Sequence, residues 1–220
     1  MTHSHKFDKM KRKLLIFFLL VAQLSAAQKT WYGEISGFAG GGTNSIFRVD
    51  ELIGAGSVTG TSMWTAGIDL RRLFGDHFSL ETGLGYSHQY YYTSPALGIP
   101  GDDVPGSFGL VVIPVTARFD FLKWFFADAG LAVSLRTGST YAELTGLGAT
   151  VGAGFQYNFK SDVFLRIRAY GSQYAILHFI PEEYPYTLWN SGVTIGAGYR
   201  FIRLGKCNCP DGYRPKRKFY

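Results

Sequence analysis

The chain has 220 residues, of which 46% are hydrophobic and only 17% charged, with 18 Phe, 14 Tyr, 4 Trp and 28 Gly. That length accommodates one domain with or without tails. The formal charge of +6 gathers in Lys6 to Lys13 and in Arg214, Lys216, Arg217 and Lys218, which leaves the body close to neutral and excludes a nucleic-acid surface read from net charge alone. Many aromatics and glycines with few charges fit a β-barrel that needs tight turns and interfacial aromatic belts.

Residues 1–27 read as an export signal. Lys11-Arg12-Lys13 is the basic region, Leu14 to Leu24 the short apolar run, and Ser25-Ala26-Ala27 puts small residues at the cleavage positions before Gln28. The apolar run is too short for a membrane-spanning helix, and nothing later approaches the ~18 apolar residues such a helix needs. If the exported chain enters a membrane, it does so as β-structure.

From residue 28 to 204 the pattern is period-2 alternation. Trp31 to Gly40 is the first strand, with Trp31 and Tyr32 at an interface, and Gly/Ser/Thr-rich 41–60 is a long loop. Thr61 to Arg72 is the second, followed by the tight link 73–76. His77 to Tyr92 is the third, ending in Tyr90-Tyr-Tyr92, an aromatic band at the far end; the proline-rich 93–107 is a second long loop. Phe108 to Phe121 is the fourth strand and sets the pattern most clearly. Val111, Ile113, Val115, Ala117, Phe119 and Phe121 share one face, while Pro114, Thr116, Arg118 and Asp120 share the other. Phe125 to Thr137, Leu147 to Tyr157, Val163 to Tyr174 and Asn190 to Phe201 complete the set. A moderate loop covers 138–146, a short turn 158–162 and a long loop 176–189.

Alternating long and short connections between strands that each reach the roughly 9–11 residues of a tilted membrane crossing predict an all-β fold, an eight-stranded antiparallel up-and-down transmembrane β-barrel. Lipid contacts the apolar face, and both termini lie on the periplasmic, short-turn side. A soluble barrel or sandwich would instead bury the apolar face and display the polar one. The polar face carries Glu34, Asp69, Arg71, Glu81, Arg118, Asp120, Asp128, Arg136, Arg166, Arg168 and Arg200. Pointed into a narrow barrel, these acids and bases must pair, and they read as a polar plug rather than an ion path.

The strand motifs carry a resemblance. Val112-Ile-Pro-Val115, Thr150-Val-Gly-Ala-Gly-Phe155, Arg168-Ala-Tyr170 and Gly196-Ala-Gly-Tyr-Arg-Phe201 resemble the outer-membrane β-barrel domain family of Bacteroidota, the PorT-like porin family. The resemblance spans 31–203 and implies the barrel fold. It also implies kinship with proteins of which some are linked to the type IX secretion apparatus and others are called porins. The tail at 205–220 departs from that pattern.

The tail holds Cys207 and Cys209 with Arg214, Lys216, Arg217 and Lys218, broken by Pro210 and Pro215. It reads either as a solvated periplasmic extension or as a docking arm for an acidic protein partner. Two cysteines without further ligands make a poor zinc site, and a disulfide, free thiols or an intermolecular bridge stay open. Material for a lipid hydrolase is limited to His88 with Ser87 and to His178, which sit on different segments without a motif. No cofactor or nucleic-acid partner is expected. The expected role is non-enzymatic: a scaffold or accessory subunit of an envelope assembly, such as one for secretion. A free-standing porin-like or surface ligand-interaction barrel is the alternative, and a lipid-modifying barrel enzyme the third reading.

Overall fold

The computed structural model describes residues 30–48, 57–74, 77–95, 101–137, 144–159, 161–179 and 186–204. The expected leader, the tail with its two cysteines and four basic residues, the crests of the long loops, and the side chains of Trp31 and Tyr32 lie outside the described residues. Eight strands follow in order: β1 (Thr30–Arg48), β2 (Ser57–Leu73), β3 (Phe78–Ser94), β4 (Val104–Asp120), β5 (Phe125–Thr137), β6 (Gly146–Asn158), β7 (Val163–His178) and β8 (Tyr186–Leu204). Each pairs antiparallel with the next, and the sheet closes on itself as a barrel in the order β1 to β8. Among the described residues no helix is long and apolar enough to cross a membrane.

Side-chain parity is that of a barrel turned inside out. On β4, Ile113 and Val115 are 38% and 42% exposed, whereas inward Arg118 is 2% exposed. On β2, Ile68 and Leu70 point out beside buried Asp69 and Arg71. Exposed large apolar side chains recur on every strand from β1 to β8. Such a continuous apolar mantle is a liability in water and the natural surface toward lipid.

The short connections are held by backbone hydrogen bonds. Phe74 N–H donates to Phe78 O at 2.7 Å, Phe121 N–H to Phe125 O at 3.2 Å, and Phe159 N–H to Val163 O at 2.9 Å. Asp162 takes a positive φ of 62° in the last of these, which a short Asx side chain tolerates. Pro114 has no N–H to give, and the β3–β4 ladder skips from Thr82↔Val115 to Gly85↔Val112 around it. The Thr82 hydroxyl donates to the Pro114 carbonyl at 3.0 Å and covers part of that gap.

The strands are longer than their sequence pattern predicts. The expected loops 41–60, 93–107 and 176–189 are strand up to Arg48, Ser94 and His178, and again from Ser57, Val104 and Tyr186; strand also begins at Gly146 inside the expected 138–146 loop. Gly, Ser, Thr and Pro mark a chain leaving the hydrophobic band, but a ladder already in register keeps pairing beyond it. Strands β2, β3 and β4 run 17 residues each and β5 and β6 only 13. Seventeen residues at ~3.3 Å and ~40° tilt rise roughly 40 Å, against an apolar band about 25 Å tall. The excess stands at the long-loop end. Two irregularities lie there: an extra residue in β2 between Gly60 and Met63, and a bulge in β7 opposite Gly148. In the second, Ala175 adopts φ 55° and both Tyr174 and Ala175 are buried.

Closure between β1 and β8 depends on missing side chains. A Cβ on Gly40 would lie 2.1 Å from Val193 O, and one on Gly42 would lie 2.0 Å from Ser191 O. The two strands approach as closely as they do because these inward positions are empty. Gly40→Val should therefore destabilise the folded barrel by about 1–3 kcal/mol, read as a lower temperature at which the compact form disappears in unboiled gel electrophoresis. Gly37→Ala, whose added Cβ would lie 3.9 Å from Gly67 O, an ordinary van der Waals contact, should leave that temperature unchanged.

Candidate functional site: the barrel interior

The interior has two layers. At the short-turn end and through the middle it is charged. Glu34 of β1 binds Arg71 of β2 and accepts from Arg200 Nε of β8 at 2.8 Å. Gln156 of β6 donates to the same carboxylate at 3.4 Å and to Asn158 at 2.9 Å. Arg118 donates through Nε and Nη2 to Asp120 Oδ1 at 3.0 and 2.7 Å, and Arg71 Nη1 lies 3.7 Å from the other oxygen of Asp120. The Arg118 guanidinium rests on the Phe126 ring, 3.5 Å from its centre. Midway up, Arg166 of β7 binds Asp69 of β2 and donates to Glu81 of β3 at 2.7 Å. Arg168 donates through Nε to Asp128 of β5 at 2.8 Å.

Of the inward charges named from sequence, Glu34, Asp69, Arg71, Glu81, Arg118, Asp120, Asp128, Arg166, Arg168 and Arg200 thus enter ion pairs among the described residues. Arg136 lies higher, its guanidinium 4.5 Å from the Phe108 ring centre. Gln156, Ser36 and Phe126 complete the network without being charged. Their signal was parity alone, since each occupies an inward position near a charged residue.

The second layer corrects the expectation of an interior polar along its whole length. At the long-loop end Phe108, Leu110, Val112, Ala132, Leu144, Tyr174, Ala175 and Leu188 form one buried apolar cluster inside the barrel. Ser134 donates to Leu144 O at 2.9 Å and holds the β5–β6 connection down over it. On β4 the run Phe108 to Val115 is apolar on both faces, so no alternation in that stretch distinguishes inside from outside. A mouth shielded from lipid by its own wall can be closed by side chains that pack as in any core.

Between the layers lies a cavity of about 70 Å³, with Asp69, Glu81, Arg166, Arg168, Thr116 and Tyr170 among its walls. That is room for a few waters. Among the described residues no group of three or more His, Cys, Asp or Glu is placed to hold a metal ion. Ser87 is buried inside the barrel, where it donates to Trp64 O at 3.3 Å. His88, one residue on, stacks with Trp64 and meets Tyr90 edge-on on the outer face. His178 on β7 hydrogen-bonds Tyr186 O at 2.9 Å.

A closed sheet with an apolar mantle, ion pairs inside and aromatic rings at both rims defines an outer-membrane β-barrel protein. The chain belongs to the outer membrane protein beta-barrel domain family, whose model matches residues 14–201. Its outer face contacts membrane lipid. Among solved structures it is similar to the outer membrane protein OprG from Pseudomonas aeruginosa, with a TM-score of 0.52 at 10% identity over 79% of this chain and 96% of that one. It is also similar to Ail, the attachment invasion locus protein of Yersinia pestis, solved with the heparin analogue sucrose octasulfate, with a TM-score of 0.42 at 14% identity over 77% and 99% of the two chains. At these identities the likeness is one of fold. No curated protein matches this chain as a relative.

Arg166 is the charge on which two buried carboxylates depend. Arg166→Ala should cost about 3–5 kcal/mol by leaving Asp69 and Glu81 unpaired, measured as a lower urea midpoint for the detergent-folded barrel. The triple variant Arg166→Met/Asp69→Asn/Glu81→Gln should recover most of that loss, because no uncompensated charge remains.

Proposed function

We propose that this barrel is a non-enzymatic, non-conducting scaffold or accessory subunit of an outer-membrane assembly, working through its surfaces and not through a pore. The observation that carries this reading is the filled interior. Seven ion pairs close one layer, an apolar cluster closes the other, and the cavity between them holds about 70 Å³. An ion path needs continuous water, and these layers interrupt it twice. Catalysis by the Ser87–His88 pair is disfavoured, since the two side chains point to opposite faces of β3.

In this reading residues 1–27 are a removed leader, both termini are periplasmic, and the PorT-like resemblance of the strand motifs points toward a secretion assembly. Cys207, Cys209, Arg214, Lys216, Arg217 and Lys218 then form an arm for an acidic periplasmic partner. The surface ligand-interaction alternative draws on the extra height of β2, β3 and β4 over β5 and β6, which lifts the long-loop end clear of the membrane.

The test is native mass in mild detergent for chains extracted from outer membranes, with and without residues 205–220, alongside planar-bilayer recording. The full chain should run within a larger complex, the truncated chain alone, and neither should produce conductance steps. Single-barrel mass for both chains defeats the docking arm, and reproducible steps defeat the sealed interior.

A further inference from the structure

The aromatic belts at the two rims differ in chemistry. At the short-turn end the exposed rings are mostly hydrocarbon: Phe78, Phe119, Phe121, Phe125 and Phe159, with Trp124, Tyr157 and Tyr199. At the long-loop end β2 and β3 present Trp64, Tyr86, Tyr90 and Tyr92, all exposed and all with a hydrogen-bonding edge, and His88 sits among them. His88 lies ten positions beyond Phe78 on β3. At ~3.3 Å per residue and ~40° tilt that is roughly 25 Å higher, the full height of the apolar band. This cluster therefore sits at the opposite membrane interface, level with lipid headgroups.

Four of these rings form one contiguous group. The Trp64 and Tyr86 centres are 5.6 Å apart, and Trp64 and His88 stack at 5.9 Å with 23° between planes. Tyr90 meets His88 edge-on at 4.9 Å. Tyr86 Oη lies 3.4 Å from His88 Nδ1. The Tyr86 phenol lies across Gly109 of β4, where a Cβ would come within 2.5 Å of its hydroxyl.

We infer that Trp64, Tyr86, His88 and Tyr90 form a binding site for the saccharide headgroup of a glycolipid. Sugars offer apolar C–H faces that lie on rings and hydroxyls that bond to ring edges. This group supplies both in one place, at headgroup height. The belt below is mostly phenylalanine and offers such edges only at Trp124, Tyr157 and Tyr199 among its exposed rings. The inference goes beyond the scaffold reading. It takes from that reading only that the long-loop end faces away from the periplasm.

The experiment reconstitutes the full chain in vesicles of phosphatidylethanolamine and phosphatidylglycerol doped with a phosphorylated diglucosamine lipid. Retained lipid is then counted by native mass spectrometry. Both leaflets carry the glycolipid, so the result is independent of orientation and of any partner. Wild type should retain the glycolipid about tenfold more than Trp64→Leu/His88→Leu/Tyr90→Leu, whose outward apolar replacements keep the barrel folded. The control Trp124→Leu/Tyr157→Leu should match wild type. Equal retention by wild type and the triple variant overturns the site, as do retention of phospholipid in place of glycolipid by wild type and an equal loss in the control.

Discussion

Hydrocarbon offers a peptide group no hydrogen-bond partner. A sheet that crosses it must satisfy every N–H and C=O within itself, and the only sheet without an edge is a closed one. The other features of this chain follow from that closure. Eight strands form a ring so tight that inward Cβ atoms on β1 and β8 meet backbone across the seam, and Gly40 and Gly42 stand where they would collide. Pro114, unable to donate, interrupts the β3–β4 ladder, and a threonine hydroxyl covers part of the gap. The bulge at Ala175 lies at the long-loop end, where the barrel stands above the apolar band.

The same ring fixes the interior. An eight-stranded barrel leaves space for side chains and little more, so polar inward positions become buried ones. Arg118 and Glu34 are each 2% exposed although they lie within an apparently water-facing lumen. A charge so placed must find an opposite one. Arg166 finds two, Asp69 from β2 and Glu81 from β3, at sequence separations of 97 and 85 residues. Such pairs add little net stability over a well-packed apolar filling. Their effect is on specificity: strands assembled out of register would strand a buried charge at a cost of several kcal/mol. The pairs thus fix which strand neighbours which, in a chain whose apolar outer face would accept any order.

Much of the architecture was legible in the sequence because period-2 alternation is a local property. Val111 to Phe121 against Thr116, Arg118 and Asp120 reads one way only. So did the identity of the inward charges, since parity is set within a strand. Their partners were not legible. Nothing near Arg168 in sequence names Asp128, and the pairing emerges only when β5 and β7 come to flank β6 in the closed sheet. The ends of the strands were hidden for a different reason. Gly, Ser and Thr report that the chain has left the apolar band, and pairing does not stop there. The apolar cap was hidden because Phe108 to Val115 is hydrophobic on both faces, which erases the alternation in the stretch where the interior changes character.

That change of character bears on function. In a barrel closed by charge alone, water and small ions could still thread between mobile guanidinium groups. Phe108, Leu110, Leu144 and Leu188 form a second closure of a different kind above the first, and a solute able to replace an ion pair gains nothing against a packed apolar layer. Two chemically unlike barriers in series are the physical ground of the proposal that this barrel does not conduct along its axis. The outside carries an apolar mantle, one belt rich in phenylalanine, a cluster of tyrosine and tryptophan around His88 on β2 and β3, and strands that rise past that cluster. Chemistry that differs between the two belts, while the mantle between them is uniform, is the distribution expected of a protein whose recognition lies at its rims.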